Sequence, residues 1–94
     1  MDQEEVMVPK LDDIIVQTGL VKLPGHFPER IVLRRWKKNE YVTHMQVAET
    51  AGSNARVSYH HGHYFSGEHS LQRALQDFTI RAHNLFAEAE FYGL

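Results

Sequence analysis

Apolar and polar positions follow two different periods along this chain. Between residues 30 and 65 the pattern has a period near two, which is typical of β-strands because successive side chains point to opposite faces. From about residue 68 to residue 91 apolar side chains recur every three or four positions, which predicts an amphipathic helix. The apolar stripe of this helix consists of Leu71, Ala74, Leu75, Phe78, Ala82, Leu85, Phe86 and Ala89.

A hairpin is the clearest element of the strand region. Arg30–Lys37 and Glu40–Val47 are joined through Lys38 and Asn39, and asparagine adopts the positive φ that such a turn requires. Alternation divides the second of these strands into two faces, but neither face is uniformly apolar, so which one lines the core stays open. One face carries Tyr41, Thr43, Met45 and Val47, and the other carries Val42, His44 and Gln46.

Two further strands extend this hairpin into a meander. Ile14–Leu23 is rich in β-branched residues and predicts a strand bent at Gly19, with a helical turn over Lys10–Ile15 as the alternative for its first half. After a small polar loop at Thr50–Asn54, Ala55–Phe65 predicts the last strand. The predicted fold class is α+β: an antiparallel three- to four-stranded β-meander with one long amphipathic C-terminal helix packed on one face.

The ends of the chain and of the helix complete this picture. Residues 1–10 predict a flexible N-terminal arm, and residues 11–94 a single α+β domain. Ser66 or Ser70 is expected to cap the helix start, where Glu68 favours the positive end of the dipole, and Gly93 follows its last turn. The polar side of the helix is expected to carry Gln72, Arg73, Gln76, Asp77, Asn84 and Glu88.

Composition narrows the classes of function. The 94 residues contain no cysteine, which excludes disulfides, thiolate metal sites and cysteine nucleophiles. The acidic start lacks the features of a signal peptide, and no apolar stretch reaches the roughly 18 residues of a membrane span. A cytoplasmic protein without a membrane partner is therefore expected. No nucleophile elbow or glycine-rich phosphate loop is present, which favours a non-enzymatic protein.

Four of the seven histidines lie within residues 59–69 and raise the hypothesis of a metal site. His61 and His63 are expected on one strand face, and Glu68 and His69 follow. Imidazole and carboxylate groups suit a divalent transition metal such as zinc, which is the one cofactor that the sequence suggests. The spacing from His61 to Glu68 resembles the first metal motif of the cupins, but Ala55 stands where that motif has glycine, and a predicted helix replaces its second motif. The other interpretation is a polar strand end.

A basic stretch raises a second hypothesis, nucleic-acid binding. Half of the ten basic residues lie within nine positions, around Trp36. The order of elements resembles that of plant AP2-type domains and of the arm-binding domains of phage-type integrases, which lay a strand face on nucleic acid. The net charge of −2 opposes this hypothesis, and a solvated strand protected by cations is the alternative. The residues concerned are Arg30, Arg34, Arg35, Lys37 and Lys38.

Protein association explains the largest number of features. The chain has more aromatic side chains than one core of this size is expected to bury, and tyrosine, tryptophan and arginine dominate interface energetics. The sequence therefore predicts a small binding or accessory protein that associates with a protein partner, or with itself as a homodimer, through a sheet face. The predicted contact residues are Arg34, Trp36, Tyr41 and Tyr59.

Overall fold

The computed structural model describes residues 13–51 and 54–93, and the predicted arm at residues 1–10 lies outside this part. In these two ranges four strands precede one helix, as the periodicity of the apolar residues predicts. They are β1 (Ile14–Gln17), β2 (Glu29–Lys37), β3 (Glu40–Ala51) and β4 (Asn54–Ser66), and the helix is α1 (Ser70–Phe91).

The strands form one antiparallel sheet in the order β1-β2-β3-β4, so each strand pairs with its neighbour in sequence. This confirms the predicted meander, and α1 packs on one of its faces. The hairpin between β2 and β3 turns at Lys38 and Asn39, and Asn39 has a φ of 60°. Cross-strand pairs such as Ile31 with Met45 and Leu33 with Thr43 fix which side chains share a face.

The first strand is shorter than predicted. Regular pairing with β2 ends at Gln17, although the sequence predicted a strand as far as Leu23. The chain returns to the sheet once more, where Val21 forms an isolated bridge with Glu29. Gly19 and Leu20 lie between these two contacts, so the bend predicted at Gly19 interrupts the strand.

The helix begins without a side-chain cap, contrary to the prediction. His69 occupies the cap position with a φ of 59° and makes no capping hydrogen bond. The Ser70 hydroxyl instead donates to the carbonyl oxygen of Asn39, which ties the start of α1 to the β2–β3 turn. At the other end Gly93 has a φ of 77°, as expected for the residue that terminates a helix.

The core lies between α1 and the sheet face that carries Ile31, Leu33, Thr43 and Met45. Leu85 and Ala89 of α1 pack against Ile31 and against the segment after β1, where Leu23 is 1 % exposed. This resolves which face the core occupies. The other sheet face, which carries Arg30, Val32, Arg34, Val42, His44 and Gln46, is called the second face below.

The sheet covers only part of the predicted apolar stripe of α1. Ala74, Leu85 and Ala89 are buried, whereas several other members of the stripe stay substantially exposed. In the described residues, no helix has the length and apolar composition needed to cross a membrane. The exposed members of the stripe are Leu71, Leu75 and Phe86.

Candidate binding surface

A network of stacked and hydrogen-bonded side chains occupies the middle of the second face. Arg34 Nε donates to His44 Nε2 across the β2–β3 pair, at 2.9 Å. The ring of Tyr59, from β4, stacks on the His44 ring with centroids 4.4 Å apart. The Arg34 guanidinium carbon lies 4.7 Å from the centroid of the same tyrosine ring, so one aromatic side chain contacts both partners.

A second pair of hydrogen bonds extends this network along the face. Arg30 Nε donates to Gln46 Oε1 at 2.8 Å, and Gln46 Nε2 donates to the Tyr59 hydroxyl at 3.0 Å. Arg34, His44 and Gln46 are all buried, so these bonds satisfy polar groups that are withdrawn from bulk solvent. The network therefore fixes the position of Tyr59 on the sheet.

The surroundings of His44 keep its imidazole neutral. Burial disfavours the charged form, and the nearby positive charges of Arg34 and Arg81 add to this, which lowers the pKa of His44 from 6.5 to about 4. The hydrogen bond agrees with this charge state, because only an unprotonated Nε2 accepts from Arg34. At neutral pH His44 is thus an acceptor inside the network.

An exposed aromatic pair lies beside the network, toward the β2–β3 turn. Trp36 of β2 and Tyr64 of β4 meet edge to face with centroids 5.5 Å apart. Val42 of β3, which pairs with Tyr64, is 1 % exposed, whereas Trp36 is 38 % and Tyr64 64 % exposed. Lys37 places its ammonium 4.6 Å from the Trp36 ring, so the pair is flanked by a positive charge.

Three of the four predicted contact residues share the second face, and the fourth does not. Arg34, Trp36 and Tyr59 lie there, but Tyr41 pairs with Arg35 and with Phe65 and points to the face that carries α1. Because side chains alternate along β3, Tyr41 and its neighbour Val42 point to opposite faces of the sheet. The aromatic side chain that joins the others is Tyr64, which the sequence did not single out as a contact.

The predicted nucleic-acid residues do not form one basic surface. Arg30 and Arg34 lie on the second face, each bonded to a neighbour, while Arg35 forms an ion pair with Asp13 at 2.8 Å. Lys37 lies over Trp36, and Lys38 is in the turn. Nucleic-acid binding therefore stays a prediction, and the arrangement of these residues gives it no particular support.

A β-bulge separates the histidines that were expected to act together. Thr43 pairs with His63 and Met45 with His60, so two residues of β4, His61 and Gly62, lie opposite the single residue between them.

His61 has a φ of 56°, and the side chains that share the α1 face are those of His60 and His63. The expectation that His61 and His63 share a face by simple alternation therefore does not hold. Glu68 and His69 lie in the turn before α1. Within the described residues no three histidine or acidic side chains are grouped as a metal would need, and metal binding stays a prediction.

The sequence did not reveal a polar cluster between β3, β4 and α1, here called the Thr43 cluster: Thr43, His63, Asp77 and Arg81. Asp77 Oδ2 accepts hydrogen bonds from the Thr43 hydroxyl at 2.5 Å and from His63 Nδ1 at 2.9 Å. Arg81 donates to the hydroxyl and the carbonyl oxygen of Thr43. The sequence placed Asp77 on the polar side of α1. The signal that could have indicated the cluster is the spacing of four residues between Asp77 and Arg81, beside the apolar stripe.

The charge of Asp77 is stabilised in this cluster. Burial raises its pKa, but the hydrogen bonds from Thr43 and His63 and the charges of His63 and Arg81 outweigh burial and leave the pKa below its usual value. Burial also lowers the pKa of Arg81, an effect that Asp77 opposes. The cluster therefore joins the helix to the sheet through hydrogen bonds to the ionised carboxylate of Asp77 and from the guanidinium of Arg81.

Comparison with known proteins gives no relative from which a role can be transferred: the chain matches no family model, no curated protein and no solved structure. Function must therefore be argued from the surfaces described above.

Proposed function

We propose that this protein is a non-enzymatic binding protein that associates with a protein partner through its second face, with Trp36 and Tyr64 at the centre of the contact. The observation that carries this proposal is the exposed pair itself. Two large aromatic side chains stand together on the face that α1 does not cover, 38 % and 64 % exposed. Contiguous exposed aromatic surface is typical of interaction sites.

The neighbourhood of the pair supports a preformed site. Tyr59 is held by stacking on His44 and by the hydrogen bond from Gln46, so its ring needs little reordering on binding. Tyr64 lies close over Gly62, where an added Cβ would be 3.0 Å from its Cε1 atom, so glycine at this position admits the ring. A rigid aromatic surface binds with less loss of side-chain entropy than a mobile one.

Charge favours a partner with acidic groups at the edge of its contact. Lys37 lies against Trp36 at the exposed end of β2, and Lys38 follows in the turn. Such cations at the rim of an apolar contact mainly affect the association rate and its salt dependence. The affinity itself is expected to come from Trp36 and Tyr64.

Alanine substitution of the pair tests this proposal. The tagged protein is used to isolate a partner from cell lysate, and the affinity of the purified partner is then measured by titration calorimetry. Trp36→Ala and Tyr64→Ala are each expected to weaken binding at least tenfold while the far-ultraviolet circular dichroism stays unchanged. Phe27→Ala is the matched control, because Phe27 is equally exposed, at 51 %, but lies in the loop before β2.

Three results would contradict the proposal. Binding that survives both substitutions would remove the pair from the contact, and loss of folding in both variants would make the pair a structural element. If the isolated partner is a nucleic acid and its affinity falls steeply with salt, the basic-surface hypothesis replaces this one. Lys37→Ala combined with Lys38→Ala would then reduce the salt slope.

A further inference from the structure

The ring of Tyr59 forms a platform on the second face. It belongs to β4 but extends across β3, where it stacks on His44, as far as the guanidinium of Arg34 in β2. Arg34 and His44 are bonded to each other and are both buried, so they lie on the sheet side of the ring. The opposite face of the Tyr59 ring is therefore the one that a ligand reaches.

The bulge in β4 brings Tyr59 and Tyr64 to the same face of the sheet. The two residues are five positions apart, which would put them on opposite faces of a regular strand, but the extra residue of the bulge restores the phase. Their partners on β3 are Gln46 and Val42, four residues and about 14 Å apart. A ligand that contacts the Tyr59 platform and the pair of Trp36 and Tyr64 must therefore run parallel to the strands, over the middle of β3.

Both tyrosine rings lean toward the space between them. Tyr59 is level with Gln46 but stacks on His44, which is two residues further toward the partner of Tyr64. Tyr64 lies over Gly62, which is two residues nearer to Tyr59. The two rings are therefore closer together than the separation of about 14 Å between their partners on β3.

A polyproline II helix has a repeat that suits this spacing. It has three residues per turn and rises about 3.1 Å per residue, so every third residue presents the same side at intervals of about 9 Å. Two other forms of peptide are less suitable. An added strand requires an open sheet edge, but β3 is paired on both sides, and an α-helix uses its carbonyl oxygens in its own hydrogen bonds.

The aromatic side chains around this site offer hydrogen-bond donors. Among the described residues, neither the indole N–H of Trp36 nor the hydroxyl of Tyr64 has a hydrogen-bond partner. The Tyr59 hydroxyl accepts from Gln46 Nε2, so its own proton remains available to donate. A polyproline II segment is complementary to such a surface, because its carbonyl oxygens are free to accept and proline has no N–H that needs an acceptor.

We infer that the second face binds a proline-rich segment of a partner protein in the polyproline II conformation. One proline ring packs on the pair of Trp36 and Tyr64, and a second, three residues along, packs on Tyr59. This inference rests on the proposed function and specifies the class of partner segment. Lys37, beside Trp36, favours an acidic residue next to the segment at that end.

The fluorescence of Trp36 tests the inference directly, because the chain contains one tryptophan. Decaproline is the probe, and a glycine–serine peptide of equal length is its control. We expect decaproline to change the emission with a dissociation constant of about 100 µM, since a contact of this size is at the weak end of specific interfaces. No response up to about 5 mM, or an equal response to the control peptide, overturns the inference.

Triproline tests the spacing without any substitution in the protein. It spans two residue steps, about 6 Å, so it reaches the aromatic pair or the Tyr59 platform but not both. We expect its dissociation constant to be about tenfold higher than that of decaproline. Equal affinities of the two peptides would show that only one of the two aromatic surfaces takes part.

Substitution of tyrosine by phenylalanine tests the donors while keeping the rings. Tyr64→Phe and Tyr59→Phe are each expected to weaken decaproline binding about threefold, with unchanged circular dichroism. Tyr92→Phe is the matched control, because it removes an exposed tyrosine hydroxyl just after α1 and is expected to leave the affinity unchanged. Decaproline binding that Tyr64→Ala does not weaken would place the site elsewhere and overturn the inference.

Two further outcomes separate this inference from the proposed function. A protein partner whose binding depends on Trp36 and Tyr64, found together with no response to decaproline, would leave the proposed function standing and contradict the proline-rich segment. A strand of ten deoxythymidines that binds more tightly than decaproline, with an affinity that falls steeply with salt, would overturn both in favour of nucleic acid.

Discussion

His44 shows how a single buried side chain makes stability depend on pH. Its pKa is about 4 in the folded protein, because burial and the charges of Arg34 and Arg81 oppose protonation, and 6.5 is its ordinary value. Between these two values the unfolded chain binds more protons than the folded one, so stability falls as the pH falls. The stabilisation is complete above pH 6.5 and is lost as the pH decreases toward 4.

We expect acidification from pH 6.5 to pH 4 to reduce the free energy of unfolding by about 3 kcal/mol through His44 alone. Urea unfolding followed by circular dichroism at several pH values measures this loss. His44→Gln is expected to lose that part of the pH dependence, whereas His83→Gln, at an exposed position of α1, is expected to retain it. An identical pH profile in wild type and His44→Gln would contradict the assignment.

The sequence predicted the sheet face of His44 but not its surroundings. Alternation correctly placed His44 and Gln46 on one face with Val42, because a regular strand fixes the direction of each side chain. It did not reveal that His44 is buried or that Arg34 donates to it, since both depend on the pairing of β2 with β3 and on Tyr59 from β4. The contacts of a residue in a sheet depend on the register between neighbouring strands, and the sequence does not determine this register.

At the scale of elements, the Thr43 cluster attaches α1 to β3 and β4. Thr43 is fully buried, and its hydroxyl donates to Asp77 while it accepts from Arg81. Removal of the carboxylate leaves the buried Thr43 hydroxyl without its acceptor, and an unsatisfied buried donor costs more than the hydrogen bond contributes in net terms. The cluster therefore positions the helix as well as stabilising it.

We expect Asp77→Ala to lower the free energy of unfolding by about 1–3 kcal/mol, measured by urea denaturation at neutral pH. The loss is expected to shrink in strong acid, because the pKa of Asp77 is lowered in the fold and its stabilisation disappears as the pH falls through that value. Glu88→Ala removes an exposed acid from the same helix and is expected to change stability by less than about 0.5 kcal/mol. Equal effects of the two substitutions would show that Asp77 has no special role.

The periodicity of apolar residues predicted the strands and the helix, but it did not predict the irregularities within the strands. The order of strands, the turn at Asn39 and the long helix follow from alternation, turn chemistry and a 3.6-residue repeat. The three ladders each contain a register shift, near Ile15, Trp36 and His61, and one extra residue in a strand has no compositional signature. The bulge at His61 is the reason that simple alternation failed in the histidine cluster.

At the scale of the whole molecule, the two faces of the sheet differ in what covers them. One face packs against α1 and contributes Ile31 to the core, whereas the second face has Trp36 and Tyr64 exposed on its surface. A protein partner that binds this pair would therefore leave the contact between α1 and the sheet unchanged.

The bulge in β4 has a consequence for the solubility of the protein. β4 forms one edge of the described sheet, and a regular strand of its 13 residues would offer a long template for other chains to pair with. The extra residue at His61 twists this edge and leaves one position without a cross-strand partner. Loss of a single residue here would preserve the pairs on either side and give a flat, uninterrupted edge. Deletion of one residue at this bulge is therefore expected to increase edge-to-edge association between copies of the protein.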